Sequence, residues 1–303
     1  MADFERPFPN ANELLDRVVD ICPFPATAQR LMALANDDDA PLDAIAAAVQ
    51  TDPALATQVL RVANSAAFRY SGAEPVRDLR QALITIGLGE LRTMAGAMAL
   101  LATFATRDEL SLDLHRTSAV SGSIAAALVP GATRSLPFVC GLLCEVGALA
   151  CLAVDGPAYV DLLHRAHHGD ATQGSCGSHE KWSRRAPIAR DELETKRYGA
   201  TTRAIGARLL RRHNLPYDIA NAIEAAPRQP AGTPLVHRAT AFARIATPLV
   251  VDRAFSGETA GLAALLGDVA DWTSLFELDG TELARRSLAA AADAERAIRS
   301  TRS

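Results

Sequence analysis

The sequence predicts an all-α fold in two packed parts, followed by a helical C-terminal extension. Ala and Leu dominate while only 5% of residues are aromatic, β-branched residues rarely alternate with polar ones, and helix start signals recur at short intervals. A chain of 303 residues, 49% hydrophobic and 22% charged, can bury a large core, and its length favours two domains over one.

The first part, 14–106, reads as a bundle of short helices. Asp39 and Pro41 lead into a helix over 43–50, and Thr51-Asp52-Pro53 caps and opens one over 54–64 with proline in its first turn. Glycine- and proline-bearing connections at 71–75 and 86–89 punctuate the next two, the second leading into a helix over 90–103. The second part, 107–226, predicts helices over 114–128, 136–152, 158–168, 190–213 and 216–226. The Gly-, Ser- and Thr-rich run between His168 and Lys181 reads as a loop. Pro227 to Pro234 marks a break before the extension, 227–303, whose helices are expected over 240–250 and 282–298. Asp279-Gly280-Thr281 opens the second of these.

Composition also bounds function. The net charge of −4 gives no global attraction for nucleic acid or anionic membrane. No uninterrupted apolar run of about 18 residues is seen, and 94–104 is too short to span. The opening residues, with Asp3, Glu5 and Arg6, lack the basic-then-apolar pattern of an export signal, so a cytoplasmic location is expected. Cys22, Cys140, Cys144, Cys151 and Cys176 are expected to be thiols, with Cys140 and Cys144 as small buried hydrophobes of one helix.

Several blocks occur in a specific order: Pro23-Phe24-Pro25-Ala26, Val49-Gln50-Thr51-Asp52-Pro53-Ala54-Leu55, Val59-Leu60-Arg61-Val62-Ala63-Asn64-Ser65-Ala66, Leu79-Arg80-Gln81-Ala82-Leu83 and Ile86-Gly87-Leu88. On these the chain resembles the HDOD family, bacterial output domains related to metal-dependent HD phosphohydrolases. The resemblance covers roughly 15–226. It implies a helical N-terminal bundle packed on an HD-like subdomain, and a regulatory or scaffolding role rather than a defined reaction.

HD-type hydrolysis needs imidazoles and a carboxylate converging on one or two divalent ions. Laid on this chain, the pattern of the related hydrolases puts Thr117 at the first histidine and Cys144-Glu145 at the His-Asp pair. It puts Thr202 at a later histidine and Ala225-Ala226 at the last pair. Threonine is a poor ligand for such an ion and alanine is none; Glu145 and Cys144 would offer one hard and one soft donor on adjacent residues. His115 is read as partly buried or capping, not as a shifted ligand. Glu145, a carboxylate on an apolar helix, is either salt-bridged or the mark of a binding pocket. No cofactor is expected.

His164, His167, His168, Cys176 and His179 lie close in sequence, but their spacing is not that of a structural zinc site and they read as an exposed polar loop. If 190–213 is one helix, Thr202 faces inward, and Arg197, Arg208, Arg211 and Arg212 share the opposite face. From Lys181 to Arg212 the local net charge is +7, read as a solvated face or as a surface for an acidic partner. Scarce aromatics and the lack of a recognition-helix motif argue against nucleic acid. Asn64 and Ser65 read as turn-formers, or with Arg61 as a polar docking spot between the two parts. The expected function is therefore a non-enzymatic signalling output or scaffold that works through association with an unnamed signalling protein. The alternatives are a divergent metal-dependent nucleotide phosphodiesterase, and a nucleotide or nucleic-acid sensor that binds a small nucleotide or nucleic acid on the basic face.

Overall fold

The computed structural model describes residues 10–23, 26–35, 37, 39–65, 68, 74–104, 108–129, 135–168, 187–225, 232–251, 276 and 278–300, and all regular secondary structure among them is helical. The first helices are α1 (Ala11–Ile21), α2 (Ala26–Ala35), α3 (Leu42–Gln50), α4 (Pro53–Ala63), α5 (Leu79–Ile86) and α6 (Leu88–Thr103). Their starts follow the capping chemistry in the sequence. The Asp52 carboxylate accepts from the Ala54 and Leu55 N–H groups ahead of Pro53, and Asp78 accepts from Gln81 N–H. Asn64 closes α4 and ties it to the next segment, donating to the Leu60 and Val76 carbonyls and accepting from Val76 N–H. Helices α2 to α6 pack mainly on one another, whereas α1 lies on the second half of the molecule.

That half contains α7 (Glu109–Leu128), α8 (Ser135–Leu142), α9 (Val146–His168), α10 (Pro187–Tyr198), α11 (Thr202–Arg212) and α12 (Tyr217–Glu224). Beyond it come α13 (Leu235–Val251) and α14 (Gly280–Ser300). The main core runs without interruption from α1 to α12. A second core joins Val120, Ile124 and Leu128 of α7 to Phe242, Ala246 and Val250 of α13 and to Leu283, Ala284 and Ala291 of α14. The Ser121 and Thr247 hydroxyls, buried between α7 and α13, hydrogen-bond at 2.8 Å. The C-terminal helices thus share a core with α7.

Three breaks fall elsewhere than the sequence predicts. The helix expected over 136–152 stops at Leu142, and residues 143–145 form a turn in which Cys144 N–H and Val146 N–H reach back three residues to the Gly141 and Leu143 carbonyls. The gap expected between the helices over 136–152 and 158–168 lies inside α9, as a kink with Asp155 at φ −124° and ψ 18° ahead of Pro157. The helix expected over 190–213 is two helices. Gly199 takes φ +69°, a conformation glycine reaches at low cost, and the Thr201 hydroxyl caps α11 by accepting from Ala204 N–H. The segment Ser135–Ala166 is long and apolar enough to cross a membrane by length and composition, but 83% of its most apolar stretch is buried inside the protein. It is a core element here.

Candidate functional site

The close approach of α9 and α11 builds the site. A Cβ on Gly147 would stand 1.9 Å from the Thr202 carbonyl oxygen, and one on Gly206 would stand 3.1 Å from Gly147 N. Two glycines facing each other therefore allow the α9 N-terminus to touch α11, which sets Glu145, on the turn before α9, near Thr202.

Between them lies Arg190, from α10. Its Nη2 donates to Glu145 Oε2 at 2.9 Å, to the Tyr159 hydroxyl at 2.9 Å and to Thr202 Oγ1 at 3.3 Å, while its Nε donates to Glu194 Oε1 at 2.7 Å. Glu194 in turn accepts from the Thr202 N–H at 2.7 Å and from the Thr202 and Tyr159 hydroxyls at 3.0 and 3.3 Å. Arg244, reaching in from α13, closes the cluster with Nε 3.3 Å from Glu145 Oε1 and Nη2 donating to Thr202 Oγ1 at 3.3 Å. Beside it, Arg203 donates through Nη1 to both Asp191 oxygens at 2.8 and 2.6 Å.

The electrostatics follow from this geometry. Burial pushes the Glu145 carboxyl up, but the Arg190 and Arg244 guanidiniums outweigh burial and hold it below the ordinary carboxylate range. Burial works against the charge of Arg190, and Glu145, Tyr159 and Glu194 together overcome that and keep it protonated. Burial alone accounts for most of the rise of the Cys144 thiol to about 12, with Glu145 adding to it. A thiol in that state is a poor metal ligand and a poor nucleophile.

Of the positions where a hydrolase would place its metal ligands, the structure brings together Glu145 and Thr202, with Cys144 adjacent to Glu145 on the same turn. Thr117 is half-buried on α7 and is not among the hydrogen-bonded members of the cluster. Ala225 directly follows α12, and Ala226 lies outside the described residues. The donor set does not fit a divalent ion, because the oxygens that would face it are already taken by two guanidiniums. A dication about 4 Å from one guanidinium would meet roughly 8 kcal/mol of repulsion at an effective dielectric of about 20. Among the described residues no group of three or more His, Cys, Asp and Glu side chains is placed to hold a metal. His164 lies on α9, the His167 and His168 side chains are not described, and Cys176 and His179 lie outside the described residues.

The basic stripe is dismantled by the break at Gly199. Arg197, expected on the open face, is only 9% exposed, with Nε and Nη2 donating to the Asp155 carboxylate. Its neighbour Tyr198 donates to the same carboxylate. Arg211 pairs with Glu224 and Arg212 with Asp16, leaving Arg208 exposed on α11. Thr202 does face inward, as expected, at 2% exposure.

Arg61 and Ser65 meet His115 at a second polar spot. With Gln58, Ser123 and the C-terminal Ile298 they line a cavity of about 20 Å³ where α4, α7 and α14 converge, the space of a single water. His115 is buried, with Nε2 3.2 Å from the Phe104 carbonyl oxygen, and burial holds it below the ordinary histidine value. Arg190, Glu194, Tyr159 and Arg244 belong to no motif in the sequence. Only the Arg190/Glu194 spacing of four left a trace, and that spacing is common on solvated helices.

The chain belongs to the HDOD family: the HDOD domain model matches residues 21–180. It is similar in structure to an HDOD domain protein of Geobacter sulfurreducens with unknown function (TM-score 0.60, 20% identity, covering 96% of this chain and 94% of that one). It is also similar to a candidate phosphohydrolase of Shewanella amazonensis (TM-score 0.57, 20% identity, 90% and 97% covered). A candidate signal transduction protein of Marinobacter aquaeolei gives a TM-score of 0.54 at 20% identity, with 95% of this chain and 66% of that one covered. At these identities the likeness is one of fold. In sequence the chain is 25% identical over 217 residues to an uncharacterized protein of Treponema pallidum, covering 70% of this chain and 39% of that protein. The chain thus spans about two-fifths of the length of that curated relative.

Proposed function

We propose that this chain is a non-enzymatic signalling output or scaffold that acts in the cytoplasm by association with a partner signalling protein. The observation that carries this reading is Arg190, a half-buried cation hydrogen-bonded to Glu145, Tyr159, Glu194 and Thr202 at the position where a hydrolase of this fold would gather metal ligands. A guanidinium fixed by four partners supplies positive charge without an open coordination position, so it neutralises the carboxylates and leaves no water to activate. The pairing of Arg197, Arg211 and Arg212 with acids of the same chain removes much of the charge a nucleic-acid surface would use.

The test is turnover against association. Purified protein with Mg²⁺, Mn²⁺ or Ni²⁺ is expected to hydrolyse bis-p-nitrophenyl phosphate and cyclic dinucleotides no faster than buffer. Cross-linking in the native cell followed by mass spectrometry is expected to recover a defined partner. Metal-dependent turnover abolished by Glu145→Gln would replace this reading with the phosphodiesterase.

A further inference from the structure

Arg244 is the least satisfied member of the cluster. A guanidinium carries five N–H donors. Here Nη2 makes a 3.3 Å bond to Thr202 Oγ1, an acceptor shared with Arg190, and Nε stands 3.3 Å from Glu145 Oε1. Nη1 is buried with no hydrogen-bond partner. Arg203, the residue after Thr202, repeats the pattern: its side chain is 10% exposed, Nη1 holds Asp191, and Nε is buried without a partner. Burial lowers the Arg203 pKa and the charge of Arg244 lowers it further. Arg203 follows directly on Thr202, which Arg244 touches; each guanidinium faces a carboxylate, Asp191 and Glu145, yet each keeps one buried N–H donor unmet, which is costly unless an acceptor arrives. The two unmet nitrogens are themselves buried, but the Arg244 side chain is 15% exposed, so the corner opens when that side chain turns.

We propose that the Arg203–Arg244 corner is an oxyanion site that takes a phosphoryl group. Arg244 turns away from its two 3.3 Å contacts to meet the ligand, and Arg203 supplies its unmet Nε–H. A tetrahedral oxyanion suits the corner better than a carboxylate, because it presents acceptors in several directions to planar donors set at different angles. Free phosphate and the phosphate of a nucleotide share this chemistry. The site does not depend on the association reading. Failure to bind phosphate would leave association standing, and turnover would remove association without bearing on phosphate binding.

Thermal unfolding of the full chain tests the site with about 10 mM inorganic phosphate, a nucleoside 5′-monophosphate, its nucleoside, or sodium chloride at matched ionic strength. Phosphate is expected to raise Tm by about 2 °C or more over chloride, the nucleoside to do nothing, and Arg244→Gln to abolish the shift. A larger shift with the monophosphate assigns the site to a nucleotide, and an equal one to free phosphate. Equilibrium dialysis of radiolabelled phosphate against the unaltered protein gives the same answer should the variant not fold. A phosphate shift no greater than that of chloride, a full shift in Arg244→Gln, or no retained phosphate in dialysis overturns the proposal.

Discussion

Glu145 is the carboxylate at which the guanidiniums of two helices meet. As a carboxylate 4% exposed between Arg190 and Arg244, it is a partner on which two half-buried cations depend. Removing one member of such a set leaves charge uncompensated, so Glu145→Gln is expected to destabilise the protein by about 3 kcal/mol or more in urea unfolding. Arg190→Met should cost a similar amount, because Glu194 then loses its cation and Glu145 keeps only Arg244 at 3.3 Å. At the same scale, Cys140 and Cys144 are buried with their thiols pushed up to about 12, and Cys151 is raised well above the ordinary value, burial being the main cause in each. A thiol reagent is expected to label Cys22 in the native protein and these three only after unfolding, as mass spectrometry of the labelled peptides would show. The sequence could place Glu145 and Thr202 because neighbouring residues fix their register. It could not place Arg244, which lies 42 residues beyond Thr202 on a helix with no motif, and is joined to the site by packing alone.

At the scale of elements, the site is made by how closely α9 meets α11. Gly147→Ala would drive a methyl group into the Thr202 carbonyl, and main chain does not yield as a flexible side chain does. Its expected cost is about 1–3 kcal/mol or more, with the Glu145 and Thr202 sides of the cluster pushed apart. The variant should therefore lose stability in urea and also lose the extra penalty of Glu145→Gln when the two are combined, a non-additivity that a double-mutant cycle measures. Helix starts marked by Asp52, Asp78 and Asp279 were legible because a side-chain acceptor at the N-cap is a local device. The interior of α9 and the turn at 143–145 were not. A proline kink inside a buried helix and a turn without glycine or proline are decided by tertiary contacts. The end of α10 was within reach of the sequence, since Gly199 followed by Thr201 is a helix stop and a new cap.

For the whole molecule, the continuous core and the second core on α7 bind the C-terminal helices to the helices before them, and Arg244 carries α13 into the cluster. Acid stability should report this arrangement in two stages. His115, His213 and His237 are all held below the ordinary value of 6.5, chiefly by burial. The unfolded chain therefore takes up protons first, and stability falls as pH drops below about 6.5 toward the lower folded values. Glu145, lowered in the fold, contributes stability that is present above the ordinary carboxylate value of 4.5 and is lost as pH falls through its folded value. Urea midpoints between pH 8 and pH 4 are expected to be flat down to about 7 and to decline below it, with His115→Gln reducing the first decline.

The fold class was readable from ordered blocks along the chain. The guanidinium cluster around Glu145 was not, because Arg190 and Arg244 come from separate helices and carry no motif. Elemental analysis of untagged protein, purified without chelator, tests the proposed non-enzymatic role most directly. Far less than one equivalent of any divalent transition metal or magnesium per chain is predicted; a near-stoichiometric ion that is lost on Glu145→Gln substitution would contradict it.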